Sequence, residues 1–153
     1  MMDIVDQPTR SRMMSGIRST NTKPEIIVRS LLHRQGFRFK LHDKNLPGKP
    51  DIVLPKYHAA IFVNGCFWHG HNCRLFKIPS TRRDFWQTKI EINRKNDDRS
   101  IKSLCSLGWR VATVWECAMR GPARQDKITL TESLATWLYG NDNRIEIVAD
   151  RKS

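Results

Sequence analysis

Ala59-Ala60-Ile61-Phe62-Val63-Asn64-Gly65-Cys66-Phe67-Trp68-His69-Gly70-His71-Asn72-Cys73 runs a nearly all-apolar strand into a loop crowded with reactive side chains. Five apolar residues in a row read as a strand covered on both faces, at the centre of a sheet. The ten residues from Asn64 to Cys73 hold two of the four cysteines, two of the five histidines and the adjacent pair Phe67-Trp68. Thiolate and imidazole are ligands that zinc prefers, and Cys66, His71 and Cys73 are close enough in the chain for one ion to collect them. A fourth ligand has to come from elsewhere, and Cys117 is available. His69 would then be released for another task, because a histidine locked to zinc cannot take a proton.

Working outward, Asp51-Ile52-Val53-Leu54 is a short strand closed by Pro55. It is expected to pair as a hairpin with Ala59–Val63 through Lys56-Tyr57-His58. Asp51 follows Pro50 at the entry to that strand, where aspartate has low propensity. It either ends the turn Asn45–Pro50 or binds a hard cation such as Mg²⁺. Phe37–Leu41 alternates apolar and basic residues, as a half-buried strand does. Trp109–Glu116 is the last clear strand and delivers Cys117 at its end. If it lies parallel beside Ala59–Val63, Cys117 reaches the loop cysteines, and a structural ion fixes a loop with little other support. The alternative is buried free cysteines, the reading given to Cys105 on the apolar side of its helix.

Three helices complete the domain. Thr22-Lys23-Pro24-Glu25 reads as a helix start with Thr22 as cap and Glu25 three residues on, and Gly36 as the stop. Glu25 is either a capping carboxylate or one near an active site. Residues 82–107 read as helix, in one piece or two, and 127–139 as a closing helix. The order helix, three strands, helix, strand, helix predicts an α/β fold with a single mixed sheet flanked by helices. Residues 1–22 form an arm, with Arg10, Arg12 and Arg18 among Met13, Met14 and Ile17 and a short helix over 9–18. It is either a frayed terminus or a clasp around DNA. The domain proper spans 23–140, and 141–153 read as a loose polar tail.

The 153 residues carry 27 Lys+Arg against 15 Asp+Glu, a net charge of +12. Such an excess opposes compaction and points to a polyanionic partner, nucleic acid before an anionic membrane. From Arg74 to Lys102 alone there are nine basic and four acidic residues. No helix sets a clean Lys/Arg face against an aromatic one, and no apolar run approaches bilayer thickness, so a membrane partner is not expected. The acidic start Met1–Asp6 lacks an apolar signal, which makes cytoplasmic residence the default. For a phosphodiester substrate, Asp51 can anchor Mg²⁺ and His69 can accept the proton from water. Phe67 and Trp68, side by side in a loop, suit stacking on bases or wedging between base pairs. Trp86 either joins them or packs in the core.

Pro47-Gly48-x-Pro50-Asp51, Ile61-Phe62-x-x-Gly65-Cys66-Phe67-Trp68-His69-x-His71-x-Cys73, Ser80-Thr81-Arg82-x-x-Phe85-Trp86 and Gly108-Trp109-Arg110-Val111-x-x-Val114-Trp115-Glu116-Cys117-Ala118 together closely resemble the very short patch repair (Vsr) endonucleases. The likeness covers residues 8–140. It implies a restriction-endonuclease-like fold that departs from the usual PD-(D/E)xK site. In that pattern a second acid and a lysine stand on the strand at Phe62-Val63-Asn64, where this chain has neither. The family uses the matching backbone carbonyl, here Val63, as a metal ligand. Its members often carry Thr there, so this chain keeps the carbonyl and lacks a hydroxyl. The resemblance implies Asp51 as Mg²⁺ ligand, His69 as general base and Glu25 in support. It implies Cys66, His71, Cys73 and Cys117 as zinc ligands, and Phe67, Trp68 and Trp86 as a wedge beside a T:G mismatch. Lys89, Glu91 and Asn93 match positions at the mismatch, and Met14 matches a minor-groove residue of the arm. The implied reaction is a nick 5′ to the mispaired thymine, starting repair of deaminated 5-methylcytosine in a bacterial nucleoid, with MutL-type repair proteins as possible partners. One active site suffices for one nick, so a monomer is expected.

Two other readings stand beside it: a zinc-stabilised DNA-binding module without catalysis, and a nuclease of relaxed mismatch or sequence specificity. A ββα-metal nuclease fits poorly, because the helix after Cys73 lacks the His/Asn ligands that fold needs.

Overall fold

A computed structural model describes residues 22–73 and 76–150. The expected arm helix and Met14 lie outside them. The central strand is as expected. β3 (Ala59–Asn64) pairs antiparallel with β2 (Ile52–Leu54) and parallel with β4 (Arg110–Trp115). The hairpin turns because Pro55 stops β2 and opens a single 3₁₀ turn, Pro55–Tyr57, and His58 then takes a left-handed φ of 53°. The edge strand β1 is only Lys40–Leu41, shorter than the alternation at 37–41 suggested, although Phe37 is buried. The sheet is mixed, with order β1-β2-β3-β4-β5.

Alternation along β3 and β4 divides the core. Ala59, Ile61, Ala112 and Val114 face the helices α1 (Lys23–Arg34) and α3 (Lys127–Tyr139), meeting Val28, Leu31, Leu32, Leu130, Leu134 and Trp137. Ala60 and Val111 face the other way, toward Leu104 of α2 (Arg83–Ser106), with Phe62 and Ile101 packed around them. A strand covered on both faces has to be apolar at every position, which explains the unbroken run Ala59–Val63. Caps are supplied locally: Thr22 Oγ1 accepts the Glu25 N–H at 3.3 Å and Asp126 Oδ1 accepts the Thr129 N–H at 2.8 Å. Arg110 lies over the Trp137 ring, 4.4 Å from its centroid, and donates to the Trp137 and Leu138 carbonyls, closing the C-terminus of α3. None of the described helices is long and apolar enough to cross a membrane.

Of the two forms open for the 82–107 segment, the structure has one continuous helix, Arg83–Ser106. Two expectations change. Cys105, expected to be buried, is exposed, because the buried face of α2 runs through Leu104 and leaves its neighbour outward. The stretch read as a loose tail contains β5 (Arg144–Ile147), which extends the sheet parallel to β4. There Ile147 is 4 % exposed and Glu146 Oε2 accepts the Trp115 indole N–H at 2.9 Å. Truncation after Asn143 should therefore destabilise the domain by at least about 2 kcal/mol, the scale of a lost buried aliphatic side chain. Urea denaturation of the truncated and full chains measures it.

Candidate active site and metal centre

The parallel register sets Asn64 opposite Trp115. The loop from Gly65 and the 3₁₀ turn Glu116–Ala118 therefore leave the sheet side by side. Cys66, His71, Cys73 and Cys117 converge there, with their ligand atoms all within 4.8 Å of one another. His71 Nδ1 stands 3.5 Å from Cys66 Sγ and 3.6 Å from Cys117 Sγ. Sulfur and nitrogen on a tetrahedral ion of zinc size lie about 3.6 Å apart, so the edges already fit. The Cys117 N–H donates to Cys66 Sγ at 3.3 Å, and Glu116 Oε1 accepts the Cys66 N–H at 3.1 Å. Trp115 stacks on the His71 ring at 4.2 Å. Burial pushes the Cys66 and Cys117 thiols up and the His71 imidazole down. The neutral ring is the ligating form, and the thiols need a cation to give up their protons here.

A second cluster lies where β2 begins. Asp51 Oδ2 accepts the Val63 N–H at 2.7 Å, which places the proposed carboxylate against the proposed backbone ligand. Glu25, on the first turn of α1, is 1 % exposed, and its Oε2 is bonded by Arg29 and by His42 Nε2. Ligand atoms of Glu25, His42 and Asp51 lie within 4.8 Å of one another. Glu25 is thus brought to Asp51, as its functional reading required, while its backbone N–H also takes the Thr22 cap. Burial pushes the Asp51 carboxyl up to about 7. The Val63 N–H opposes this, Glu25 adds to it, and His69 and Arg29 pull it down.

His69 lies outside the thiolate cluster. Its Nδ1 is bonded by Asp97 of α2, and the ring lies near enough to Asp51 that a proton on it would favour the carboxylate there. With hydrogen on Nδ1 facing Asp97, the lone pair sits on Nε2, an assignment that rests on this partner. One face of α2 carries the loop. Asn93 Nδ2 donates to the Trp68 carbonyl at 2.8 Å, and Asp97 follows one turn on. Gly70, at φ +63°, sits so close to α2 that an added Cβ would meet Ile90 Cγ2 at 2.6 Å and Arg94 Cδ at 2.9 Å. Asn93, expected at the mismatch, is therefore engaged in holding the loop.

The three aromatic side chains come together. Phe67, Trp68 and Trp86 lie edge to face, with centroids 5.0, 5.4 and 5.5 Å apart, and all three are partly exposed. Lys89 and Glu91 are exposed on α2. Sequence reasoning missed His42 and Asp97. The first looked like a loop residue after a strand and the second like one charge among many on a solvated helix.

A family model described as DNA mismatch endonuclease Vsr matches residues 2–75. The chain is 46% identical over 147 residues to the DNA mismatch endonuclease Vsr of Escherichia coli strain K12, covering 96% of this chain and 94% of the relative. The chain belongs to the Vsr family. It is also 51% identical over 119 residues to the Type II nicking enzyme V.XorIIP of Xanthomonas oryzae pv. oryzae, covering 78% of this chain and 88% of that one. The Type II nicking enzyme V.NmeAIP of Neisseria meningitidis serogroup A is 45% identical over 123 residues, 80% of this chain and 88% of the relative.

In this Vsr-family chain the raised Asp51 carboxyl has a measurable consequence. Between about pH 4, where a free aspartate ionises, and about pH 7, the folded protein keeps a proton that the unfolded chain has released. Stability of the metal-free protein therefore falls as pH rises through that window, and the cost persists above it. Asp51→Asn carries no charge and its amide oxygen can still accept the Val63 N–H. In chelator at pH 8 it should be more stable than wild type by a few kcal/mol, on the order of the cited shift. At pH 4 the difference should vanish. Thermal melts of both proteins across pH 4–8 check this.

Proposed function

We propose that this chain is a Mg²⁺-dependent mismatch endonuclease that nicks one DNA strand 5′ to the mispaired thymine of a T:G pair. The observation that carries the reading is the position of His69. It is excluded from the thiolate cluster, braced by Asp97, and near enough to Asp51 that a proton on its ring would favour that carboxylate. Family membership supports the endonuclease activity, since the relatives are named mismatch endonuclease and nicking enzymes. The mixed sheet, with its hairpin carrying Asp51, is consistent with a restriction-endonuclease-like fold.

Asp51 and the Val63 carbonyl would hold Mg²⁺, and the cation supplies polarisation of the scissile phosphate when bound. His69 Nε2 takes the proton from the attacking water, and Asp97, bonded to Nδ1, keeps the ring in that tautomer and favours the imidazolium formed. Asp97 acts through His69 and is a positioning residue. Glu25 supports Asp51 from α1. Cys66, His71, Cys73 and Cys117 would hold a structural Zn²⁺, the ion that suits three thiolates and an imidazole in tetrahedral array. Phe67, Trp68 and Trp86 form the wedge. A mismatched step costs less to unstack than a paired one, so a wedge selects it before any base is read. The net charge of +12 supplies the attraction to phosphates. Lys89 and Glu91 on α2 and Met14 on the arm would touch the DNA near the mismatch. A monomer acting in the bacterial cytoplasm, with MutL-type partners, completes the reading.

End-labelled duplexes carrying T:G, T:T, C:A or no mismatch, incubated with Mg²⁺, should be cut only at T:G and only 5′ to the thymine. His69→Ala should slow single-turnover nicking by about 10²–10⁴-fold while leaving duplex affinity within a few-fold. Equal cutting of matched DNA would favour a nuclease of relaxed specificity. Mismatch binding without any cut would favour the binding module. Separately, Cys117→Ser should lower the zinc content of the purified protein and its melting temperature together, read by metal analysis and calorimetry.

A further inference from the structure

One side chain in the acidic cluster has no part in the reaction as described: His42. Its Nε2 lies 2.6 Å from Glu25 Oε2, and Asp51 completes a set whose ligand atoms lie within 4.8 Å of one another. Around a six-coordinate cation of Mg²⁺ size, opposite ligands stand about 4.2 Å apart and adjacent ones about 3 Å apart, so the His42–Glu25 pair has to open slightly and Asp51 to draw in for all three to meet one ion. His42 reaches this place through a left-handed backbone, φ +48°, directly after β1, and its N–H donates to the Asp51 carbonyl at 3.0 Å. An L-residue is disfavoured in that conformation, and the bond ties the turn to the residue whose carboxylate joins the cluster. Glu25 is almost fully enclosed, Asp51 is partly so, and Arg29 is bonded to Glu25 beside them.

We propose that Glu25, His42 and Asp51 form a mixed oxygen–nitrogen site for a divalent cation, and that the His42 imidazole makes this site bind Mn²⁺ in preference to Mg²⁺. This rests on the reading of Asp51 as a cation ligand and deepens it. Mg²⁺ keeps oxygen ligands and water, whereas a first-row transition ion also accepts imidazole. On ligation the hydrogen between His42 Nε2 and Glu25 Oε2 gives way to the ion. The neutral ring keeps one hydrogen, carried on Nδ1 after exchange with solvent.

The test is Mn²⁺ titration of the full chain, with the cysteine cluster loaded with Zn²⁺, followed by electron paramagnetic resonance. Pulsed measurement of ¹⁴N coupling to the bound ion accompanies it. The expected result is one tight Mn²⁺ site with nitrogen coupling, from which Mg²⁺ displaces Mn²⁺ only at concentrations at least about tenfold higher. His42→Gln should abolish the coupling and weaken Mn²⁺ at least about tenfold, with little change in Mg²⁺ affinity. His69→Gln should keep the coupling. A Mn²⁺ site without nitrogen coupling in the wild type, or one whose coupling disappears in His69→Gln, overturns the proposal and needs no folded His42 variant. Asp51→Asn separates the two layers. If it removes Mn²⁺ binding while His42→Gln changes nothing, only the role of His42 fails. If Asp51→Asn binds Mn²⁺ as tightly as wild type, the cation reading of Asp51 fails with it.

Discussion

The site depends on the in-register parallel ladder between β3 and β4. Parallel strands end at the same edge of a sheet, so whatever follows one is delivered beside whatever follows the other. Here the loop from Gly65 and the turn holding Cys117 follow β3 and β4. Cys66 and Cys117 are about fifty residues apart in the chain and meet because of this pairing. The requirement reaches into composition. A strand that has helices on both faces and a neighbour on each side must be small and apolar throughout, and Ala59-Ala60-Ile61 is fully buried. The same strand presents the Val63 N–H to Asp51 across the antiparallel side. One strand therefore orders two clusters, thiolate and imidazole beyond its end, carboxylates along its edge.

The two clusters meet the same electrostatic problem. Buried thiols hold their protons until a cation arrives, and the same is true of Asp51 beside Glu25. Each is a place where charge is unfavourable alone and favourable once an ion is present. Two histidines one residue apart are kept on different duties by their neighbours. His71 is stacked on Trp115 and directed at sulfur, while His69 is turned toward Asp97. Gly70 between them makes the division possible, since its left-handed φ and missing side chain let the loop press against Ile90 and Arg94.

Much of this was legible in the sequence where local pattern and local structure agree. The hairpin, the buried strand, the cap at Thr22 and the stop at Gly36 follow from neighbours a few residues apart. The cysteine–histidine cluster was legible because its residue types are chemically narrow and because Cys66 and Cys117 closely follow two strand ends. His42 and Asp97 were not. Their partners, Glu25 and His69, are 17 and 28 positions away, and a histidine or aspartate in a charged segment is ordinarily a solvated one. β5 was hidden for a different reason. Arg144-Ile145-Glu146-Ile147 is four residues long and carries charges that in isolation signal a tail. Its pairing partner and the Trp115–Glu146 bond supply what its own composition does not. Cys105 was misplaced because a helix face is decided within one residue.

Helix α2 shows why charge alone is a poor guide to which residues touch a polyanion. Its length crosses from the aromatic cluster at Trp86 to the core at Leu104, and the surface it presents is basic. Yet on that charged helix, Asn93 and Asp97 point to the loop and hold a backbone carbonyl and an imidazole. A helix that only attracted phosphates would gain nothing from an aspartate at that place, since it lowers the local positive potential. Here the aspartate bonds the ring of His69, and its loss would free that ring. Side chains that hold the loop and exposed charges therefore share a single helix, and only the loop's contacts tell them apart.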